Sequence, residues 1–276
     1  MILKTLQKSK SSNGIAFFKI GSGHPIIFIH GLGLRAECWF HQIEELKKNH
    51  TVYAIDMPGH GKSDLLKDKK VSLKSFVKIL VEFIKIQKID RPIIVGHSLG
   101  ALITIELAGL YPKLPSAIIA VTPIYNRSPE ATKAVKLRAK EILENPNDNI
   151  IIHEPIKRWF GNSKAKINIE SADACRKFLK LNKKIFNLQG YTTAYGVFAQ
   201  IKGNSLSTLK KIQAPSLYIT GEKDFNSTPE MSQKLSKINK SSYIVIKNAR
   251  HLLPLTHAKQ FNSHLNHFIN SLKLDF

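Results

Sequence analysis

Cysteine is nearly absent from this sequence of 276 residues. Its two cysteines, Cys38 and Cys175, are too few for a disulfide framework, and no CxxC or Cys/His cluster indicates a metal site. Residues 1–13 contain lysines but lack the apolar core of a secretory signal, so no such signal is predicted. We therefore expect buried or incidental thiols and no bound metal.

Long uninterrupted apolar runs are also absent. The most apolar stretch, 92–110, is interrupted by His97, Ser98, Thr104 and Glu106. Such a run predicts a buried strand, turn and helix rather than a membrane span. With 43% hydrophobic residues the chain can bury the core of one large domain, and we expect a cytoplasmic protein without a membrane span.

Positive charge is in excess, with a net charge of +22, and lysine supplies most of it: 35 lysines stand against seven arginines. Phosphate and base recognition favours arginine, and no nucleic-acid-binding motif occurs, so no specific nucleic-acid binding is expected. Drift in composition explains a dispersed excess of lysine more simply than a selected partner does. An anionic substrate or an acidic carrier protein is the alternative explanation.

The first half of the chain alternates short apolar runs with amphipathic segments. Two apolar runs, 15–20 and 25–30, flank a glycine-rich turn at 21–23, a pattern typical of a β-hairpin. The periodicity then predicts helix 37–48, strand 51–56, helix 72–88, strand 93–95, helix 98–110 and strand 117–121. Strands separated by helices predict an α/β fold with a mostly parallel, doubly wound sheet.

Strand alternation stops between 123 and 207, where lysine-rich helical segments prevail and only 150–153 has the character of a strand. Alternation returns near the end of the chain, with strand 216–220, helix 229–238, strand 243–247 and helix 254–272. We therefore predict an α/β core of residues 1–122 and 208–276. A helical lid, 123–207, is inserted above the carboxyl edge of the sheet, where such sheets bind ligands.

Ser98 is the candidate nucleophile because of the position of its pentapeptide. The run Gly96-His97-Ser98-Leu99-Gly100 joins a short apolar strand directly to a helix, as a nucleophile elbow requires. The two glycines leave room for a tight turn that exposes the serine at the strand end. The pentapeptide alone occurs too often by chance to decide the function, so the assignment depends on the residues that would act together with Ser98.

A serine hydroxyl needs a general base, and the base needs an orienting acid. Asp224 lies in a loop after one predicted strand, and His251 lies in a loop after the next. The chain order Ser98, Asp224, His251 is the one that accompanies this kind of elbow. We expect Ser98 to attack, His251 to take its proton, and Asp224 to orient the imidazole.

Other ionisable residues compete for these roles. Glu222 is close to Asp224, and His257 is close to His251 but inside the predicted last helix. Because a catalytic base must reach the elbow, a loop histidine is favoured over a helical one. His97 adjoins the nucleophile, but its side chain is expected to point away from the serine side chain.

An oxyanion hole needs two N–H donors near the nucleophile. The first is expected from the backbone of Leu99, which follows the serine. The second is expected from the turn 30–33, with Leu32 as the best candidate. A plain strand-terminating turn is the alternative interpretation of that segment.

Together these motifs resemble the α/β-hydrolase superfamily over nearly the whole chain: HGLG at 30–33, DMPGHGKS at 56–63, GHSLG at 96–100, GEKD at 221–224 and RHLLP at 250–254. More narrowly, RWF at 158–160 and GYTTA at 190–194 resemble the lid of 3-oxoadipate enol-lactonases and related carboxylesterases. Ala101 and Arg250 stand where glycine is common in such proteins. The resemblance implies a serine hydrolase that cleaves a carboxylic ester, thioester or lactone without metal or organic cofactor.

The lid is expected to select the substrate. Arg158 is assigned to its substrate pocket, and five aromatic residues would either line an apolar acyl pocket or form the core of the lid: Trp159, Phe160, Tyr191, Tyr195 and Phe198. A carboxylate of the substrate would be held by Arg158 or by nearby lysines. Three alternatives stay open: an acyltransferase or carbon–carbon bond hydrolase using the same triad, a non-catalytic ligand receptor, and a basic nucleic-acid binder.

Overall fold

The computed structural model describes residues 6–183 and 185–272, and within them the chain forms an eight-stranded sheet. The strands are β1 (Ser9–Lys10), β2 (Ala16–Ile20), β3 (Pro25–Ile29), β4 (Thr51–Ile55), β5 (Ile93–His97), β6 (Ala117–Val121), β7 (Ser216–Gly221) and β8 (Ser242–Ile246). Their order in the sheet is β1-β2-β4-β3-β5-β6-β7-β8. Only β1 with β2 and β2 with β4 pair antiparallel among the described strands. The predicted mostly parallel sheet is confirmed.

Helices cover the sheet and fill the interval between β6 and β7. They are α1 (Phe40–Leu46), α2 (Leu73–Ile86), α3 (Leu99–Leu110), α4 (Pro129–Glu144), α5 (Glu154–Phe160), α6 (Lys166–Leu181), α7 (Ile185–Gln200), α8 (Leu206–Leu209), α9 (Pro229–Ile238), α10 (Leu253–Thr256) and α11 (Ala258–Ser271). A 3-10 turn, Ala36–Trp39, precedes α1. No helix in the described part of the chain is long and apolar enough to cross a membrane.

Helices α2 and α3 differ in the pattern of their buried residues. In α2 the buried residues recur at spacings of three and four, as Leu73, Phe76, Val77 and Leu80 show. Helix α3 is instead buried on every side from Leu99 to Gly109. Because α3 begins directly after Ser98, this burial gives the candidate nucleophile a rigid support.

The predicted β-hairpin of 15–20 and 25–30 is wrong. Strand β4 lies between β2 and β3, antiparallel to the first and parallel to the second. The turn between them packs against the segment that leads into β4, since a Cβ on Gly21 would lie 2.2 Å from the carbonyl oxygen of His50. A glycine-rich turn is a local signal, whereas the pairing depends on a strand about thirty residues further along the chain.

Two further boundaries differ from the predictions. The segment 150–153, which has the character of a strand, belongs to a π-helical turn, Asn149–His153, that leads into α5 and contacts α4 and α6. The predicted last helix is interrupted at His257, which has φ −126° and ψ 37° and separates α10 from α11. His257 therefore lies at the start of α11 and not inside a continuous helix.

A buried ion cluster joins the N-terminal segment to the end of β4. The Lys8 ammonium donates to Glu37 Oε2 at 2.7 Å and to both carboxylate oxygens of Asp56 at 2.8 Å. The Asp56 carboxylate also accepts the backbone N–H groups of Ala36 and Lys62, both at 2.9 Å. Burial by itself raises the pKa of Asp56, but the charge of Lys8 and these bonds outweigh it and leave the pKa below its ordinary value.

We expect Lys8→Met to lower the free energy of unfolding by about 3–5 kcal/mol, because it leaves two buried carboxylates without their cation. The matched control is Lys10→Met, since Lys10 pairs with Asp64 at 2.7 Å while both side chains are half exposed, at 50% and 51%. That change should cost at most about 1 kcal/mol. Urea unfolding measures both, and equal losses would contradict the role given to the buried cluster.

The same variant should show a pH signature. A carboxyl whose folded pKa is depressed stabilises the fold above its unfolded pKa and loses that contribution as the pH falls through the folded value. The stability difference between the wild type and Lys8→Met should therefore shrink below about pH 4. A difference that stays constant as the pH falls through that range would argue against the Asp56 pairing as its source.

Candidate active site

Ser98 lies at a strained turn between β5 and α3. Its backbone has φ 55° and ψ −113°, a combination that residues other than glycine rarely adopt. A Cβ on Gly96 would lie 2.2 Å from the carbonyl oxygen of Gly100, and one on Gly100 would lie 2.4 Å from that of Ile29. Both flanking positions therefore require glycine. The turn leaves Ser98 partly exposed, whereas Leu99, which follows it, is fully buried.

Asp224 and His251 form a buried hydrogen-bonded pair. They follow β7 and β8, so they leave the same carboxyl edge of the sheet from which Ser98 leaves β5. The Nδ1–H of His251 donates to Asp224 Oδ2 at 2.7 Å, and the two residues are 6% and 3% exposed. Asp224 Oδ1 accepts backbone N–H groups of Asn226 at 2.9 Å and Ser227 at 3.2 Å. With Nδ1 protonated, the basic nitrogen of a neutral His251 is Nε2.

His97 supports the pair from behind. Its Nε2–H donates to the backbone carbonyl of His251 at 2.9 Å, and the two rings lie 4.9 Å apart. Burial, together with the proximity of His251, lowers the pKa of His97 to about 3, so the ring is neutral at pH 7. The ring of His97 lies beside Gly31 and lines the same cavity as Ser98.

Two buried histidines hold the loop that contains Leu32. His30 Nε2 accepts the Met57 N–H at 2.8 Å, and His60 Nε2 accepts the Gly33 N–H at 3.2 Å. Burial is the main cause that lowers the pKa of His30 to about 3 and that of His60 to about 4, and a neighbouring positive charge lowers each pKa further. Both rings are therefore neutral at pH 7, as their acceptor nitrogens require. Their bonds fix the backbone on either side of Leu32.

One cavity of about 440 Å³ brings the candidate residues together. Ser98, His251 and Leu32 line it, and the predicted lid residues that join them are Arg158, Trp159, Tyr191, Tyr195 and Phe198. Leu99 is buried at the first turn of α3, where helical N–H groups have no partner within the helix. The cavity is walled on one side by the sheet edge and on the other by α4, α5 and α7.

Arg127 and Arg138, which no sequence motif indicated, also line this cavity. A signal was present in the composition: arginine is scarce, and three of the seven arginines face this one space. Phe160 was expected in the pocket but does not line it. Successive helical residues point about 100° apart, and Phe160 instead packs in the core and lines a separate cavity of about 300 Å³.

The competing acid and base lie elsewhere. Glu222 accepts the backbone N–H of Asn248 at 2.8 Å, and His257 bonds Thr256 Oγ1 at 2.9 Å and lines the 300 Å³ cavity instead of the one with Ser98. A larger cavity of about 630 Å³ lies on the other side of α7 and contains none of the candidate catalytic residues. Size therefore does not identify the site here, and the position of the ionisable groups does.

Metal-ligating side chains are not grouped in the described ranges. No set of three or more His, Cys, Asp or Glu residues there could hold a metal ion. Cys38 and Cys175 are free and buried, and burial raises the pKa of both thiols. The chemistry that the cavity offers is thus a serine hydroxyl, an imidazole oriented by a carboxylate, and N–H donors at the start of a helix.

The family described as alpha/beta hydrolase fold matches residues 24–258, which is most of the chain. The chain therefore belongs to the alpha/beta hydrolase fold family. The resemblance seen in the motifs, and the fold class predicted from them, are confirmed by this match and by the sheet described above.

Three individual similarities illustrate the range of the family. The chain is 36% identical to (E)-2-((N-methylformamido)methylene)succinate hydrolase of Acinetobacter baylyi, over 95% of this chain and 96% of that protein. It is 29% identical to the pimeloyl-[acyl-carrier protein] methyl ester esterase of Wigglesworthia glossinidia brevipalpis, over 91% and 95%. The structure of the enol-lactonase from Burkholderia xenovorans superposes with a TM-score of 0.83 at 18% identity, covering 96% of this chain and all of that one, which supports the fold.

Proposed function

We propose that the protein is a serine hydrolase that cleaves a carboxylic ester, thioester or lactone through an acyl-Ser98 intermediate. One observation carries this proposal: His251, whose Nδ1 is bonded to Asp224 Oδ2 at 2.7 Å, lines the same cavity as Ser98 at its strained turn. Membership of a hydrolase family supports it. The names of two relatives, hydrolase and methyl ester esterase, also support it.

The reaction would proceed in two halves. In the first, Ser98 Oγ attacks the carbonyl carbon while His251 Nε2 takes the hydroxyl proton, and Asp224 stabilises the imidazolium. The tetrahedral intermediate then expels the alcohol, thiol or enol, which leaves with that proton. In the second half a water molecule attacks the acyl-enzyme, His251 again takes and returns a proton, and the carboxylic acid leaves.

Backbone N–H groups would stabilise the negative oxygen in both halves. We assign these roles to Leu99, at the amino end of α3, and Leu32, in the loop held by His30 and His60. The removal of one such donor typically costs about 2.7–4 kcal/mol of transition-state stabilisation. The neutral state of both histidines matters because a protonated ring could no longer accept the N–H groups that anchor this loop.

The lid would select the acyl group. We propose that residues 1–122 and 208–276 form the catalytic core and that 123–207 form the lid, whose helices α4, α5 and α7 contribute one side of the cavity wall. A small acyl substrate, free or attached to an acidic carrier protein, is consistent with the substrates named for the two relatives. Acyl transfer and carbon–carbon bond hydrolysis would use the same triad, and product analysis separates them from ester hydrolysis.

A fluorophosphonate probe tests the proposal directly. We expect a stoichiometric adduct on Ser98, found by peptide mass spectrometry, because only an activated serine reacts with such probes. Ser98→Ala should abolish labelling. The control is Ser205→Ala, since Ser205 also precedes a helix, α8, but lies outside the cavity; it should be labelled as fast as the wild type.

The same preparation should hydrolyse 4-nitrophenyl acetate and butyrate. An unlabelled Ser98 in a folded protein that also fails to hydrolyse these esters would reject the proposal and favour a ligand receptor on this fold. Steep loss of nucleic-acid binding with added salt, without sequence preference, would identify any such binding as non-specific.

A further inference from the structure

Three of the seven arginines line the cavity that contains Ser98. They come from different elements: Arg127 lies in the loop after β6, Arg138 on α4 and Arg158 on α5. Among the described residues that line this cavity, none is Asp or Glu. Nearly half of the few arginines of this lysine-rich protein therefore face one cavity whose described lining contains no carboxylate.

Arg127 is the most deeply buried of the three, at 5% exposure. Its Nη1–H donates to the carbonyl oxygen of Phe198 at 3.3 Å, and its guanidinium lies 4.3 Å from the centre of the Phe198 ring. Nη2 is buried and has no partner among the described residues, nor does Arg127 form an ion pair with a described carboxylate. Leaving a charged donor buried without a partner is costly unless a ligand supplies the acceptor.

Arg138 and Arg158 extend the same pattern. Arg138 donates through Nε to the hydroxyl of Tyr195 at 3.3 Å and has no ion pair within the described residues. Arg158 Nη1 lies 3.5 Å from Glu154 Oε2, but it makes no hydrogen bond and is buried. Among the described residues Arg158 alone of the three has a carboxylate within ion-pairing distance, that of Glu154, so an excess of positive charge remains at the cavity.

We infer that the cavity binds an acyl substrate carrying two free carboxylates besides the bond that is cleaved, one held by Arg127 with Arg138 and the other by Arg158. This inference rests on the proposed function and names its substrate class. The planar fork of a guanidinium matches a carboxylate in a bidentate manner. Two such groups neutralise the excess charge, and the side chains of Trp159, Tyr191 and Phe198 cover the carbon chain between them.

Binding to the Ser98→Ala protein tests the inference without turnover. Calorimetry compares succinate and glutarate, which have two carboxylates, with monomethyl succinate and butyrate, which have one. We expect the dicarboxylates to bind at least about tenfold more tightly, and Arg127→Met and Arg158→Met each to remove about tenfold or more of that affinity. Arg127→Lys keeps the charge but not the fork, so it should recover only part.

Arg176→Met is the matched control. Arg176 is on α6, pairs with Asp173 and is 39% exposed, so the change removes the same charge from the outer face of the lid. It should leave dicarboxylate binding within about twofold of the parent. Inorganic phosphate is the comparison anion: tighter binding of phosphate than of succinate would overturn the assignment to carboxylates.

Fold and function are checked separately. In the background with Ser98 present, Arg127→Met should raise the KM for a mono-4-nitrophenyl ester of propane-1,2,3-tricarboxylate, which keeps two free carboxylates, about tenfold or more. Arg176→Met should leave that KM, and the hydrolysis of 4-nitrophenyl acetate, within about twofold of the wild type. Dicarboxylates that bind no better than their monoesters, in a protein that labels with fluorophosphonate, would overturn the inference alone. The opposite result is a protein that neither reacts with fluorophosphonate nor hydrolyses esters but still binds dicarboxylates through Arg127. That result would overturn the proposed function and retain the dicarboxylate-binding site.

Discussion

Ser98→Ala is expected to lower kcat by about 10⁴-fold or more on any ester that the wild type cleaves, while the protein stays folded. The reason is that alanine removes the only atom that can form the acyl-enzyme and keeps every contact of the turn. What remains should be the modest rate that an oxyanion hole and substrate binding provide. Steady-state kinetics and thermal unfolding of the same preparation measure the two effects.

Ser98→Gly is the matched control for the geometry of the turn. The φ of 55° and ψ of −113° at Ser98 store strain in any residue with a Cβ, of about 1–3 kcal/mol. The glycine variant should therefore be as inactive as the alanine variant but more stable than it. Substantial esterase activity in either variant would show that Ser98 is not the nucleophile. A glycine variant less stable than the alanine variant would contradict the strain assigned to this turn.

Asp224→Asn is expected to lower kcat by about 10⁴-fold with little change in KM. The Oδ2 of Asp224 accepts the Nδ1–H of His251 at 2.7 Å, and its Oδ1 accepts two backbone N–H groups. An asparagine keeps one acceptor and turns the other into a donor. Its oxygen stays with the backbone N–H groups, so its amide faces His251, whose Nδ1 must then lose its proton. The proton moves to Nε2, which can no longer act as the base.

Glu222→Gln is the control for Asp224→Asn. Glu222 is two residues away and accepts the Asn248 N–H at 2.8 Å in an exposed loop. Its change to glutamine should alter kcat less than about twofold. A large loss in Glu222→Gln together with a small loss in Asp224→Asn would exchange the two assignments. Proton NMR of the His251 ring in the two variants would show directly which nitrogen carries the proton.

Local patterns predicted the elements that are set by nearby residues. The boundaries of β6 match the predicted strand 117–121, and α2 differs by one or two residues from the predicted helix 72–88. Such elements follow from periodicity and end signals within a few turns of chain. The elbow was predictable for the same reason, since a short apolar strand, a glycine-flanked serine and a helix are consecutive in sequence.

Predictions that depended on distant partners were less secure. The hairpin of 15–20 with 25–30 was wrong because β4, which follows α1, takes the place between the two strands. Phe160 was expected at the pocket with its neighbours Arg158 and Trp159, but the rotation of α5 turns it into the core. Neither the insertion of a strand between two others nor the rotation of a helix about its axis can be predicted from the residues of that element alone.

The sequence alone determined the order of the residues from which we propose the reaction: Ser98 at an elbow, then Asp224 and His251 each after a strand. When the strands of a sheet are parallel, the residues that follow them lie at the same edge of the sheet. The order of these three residues is therefore enough to predict that they lie close together. Only the tertiary structure decided the shape and charge of the cavity. Arg127, Arg138 and Arg158 belong to no common motif in the sequence, and they line one cavity because the loop after β6 and the helices α4 and α5 meet over the same strand edge.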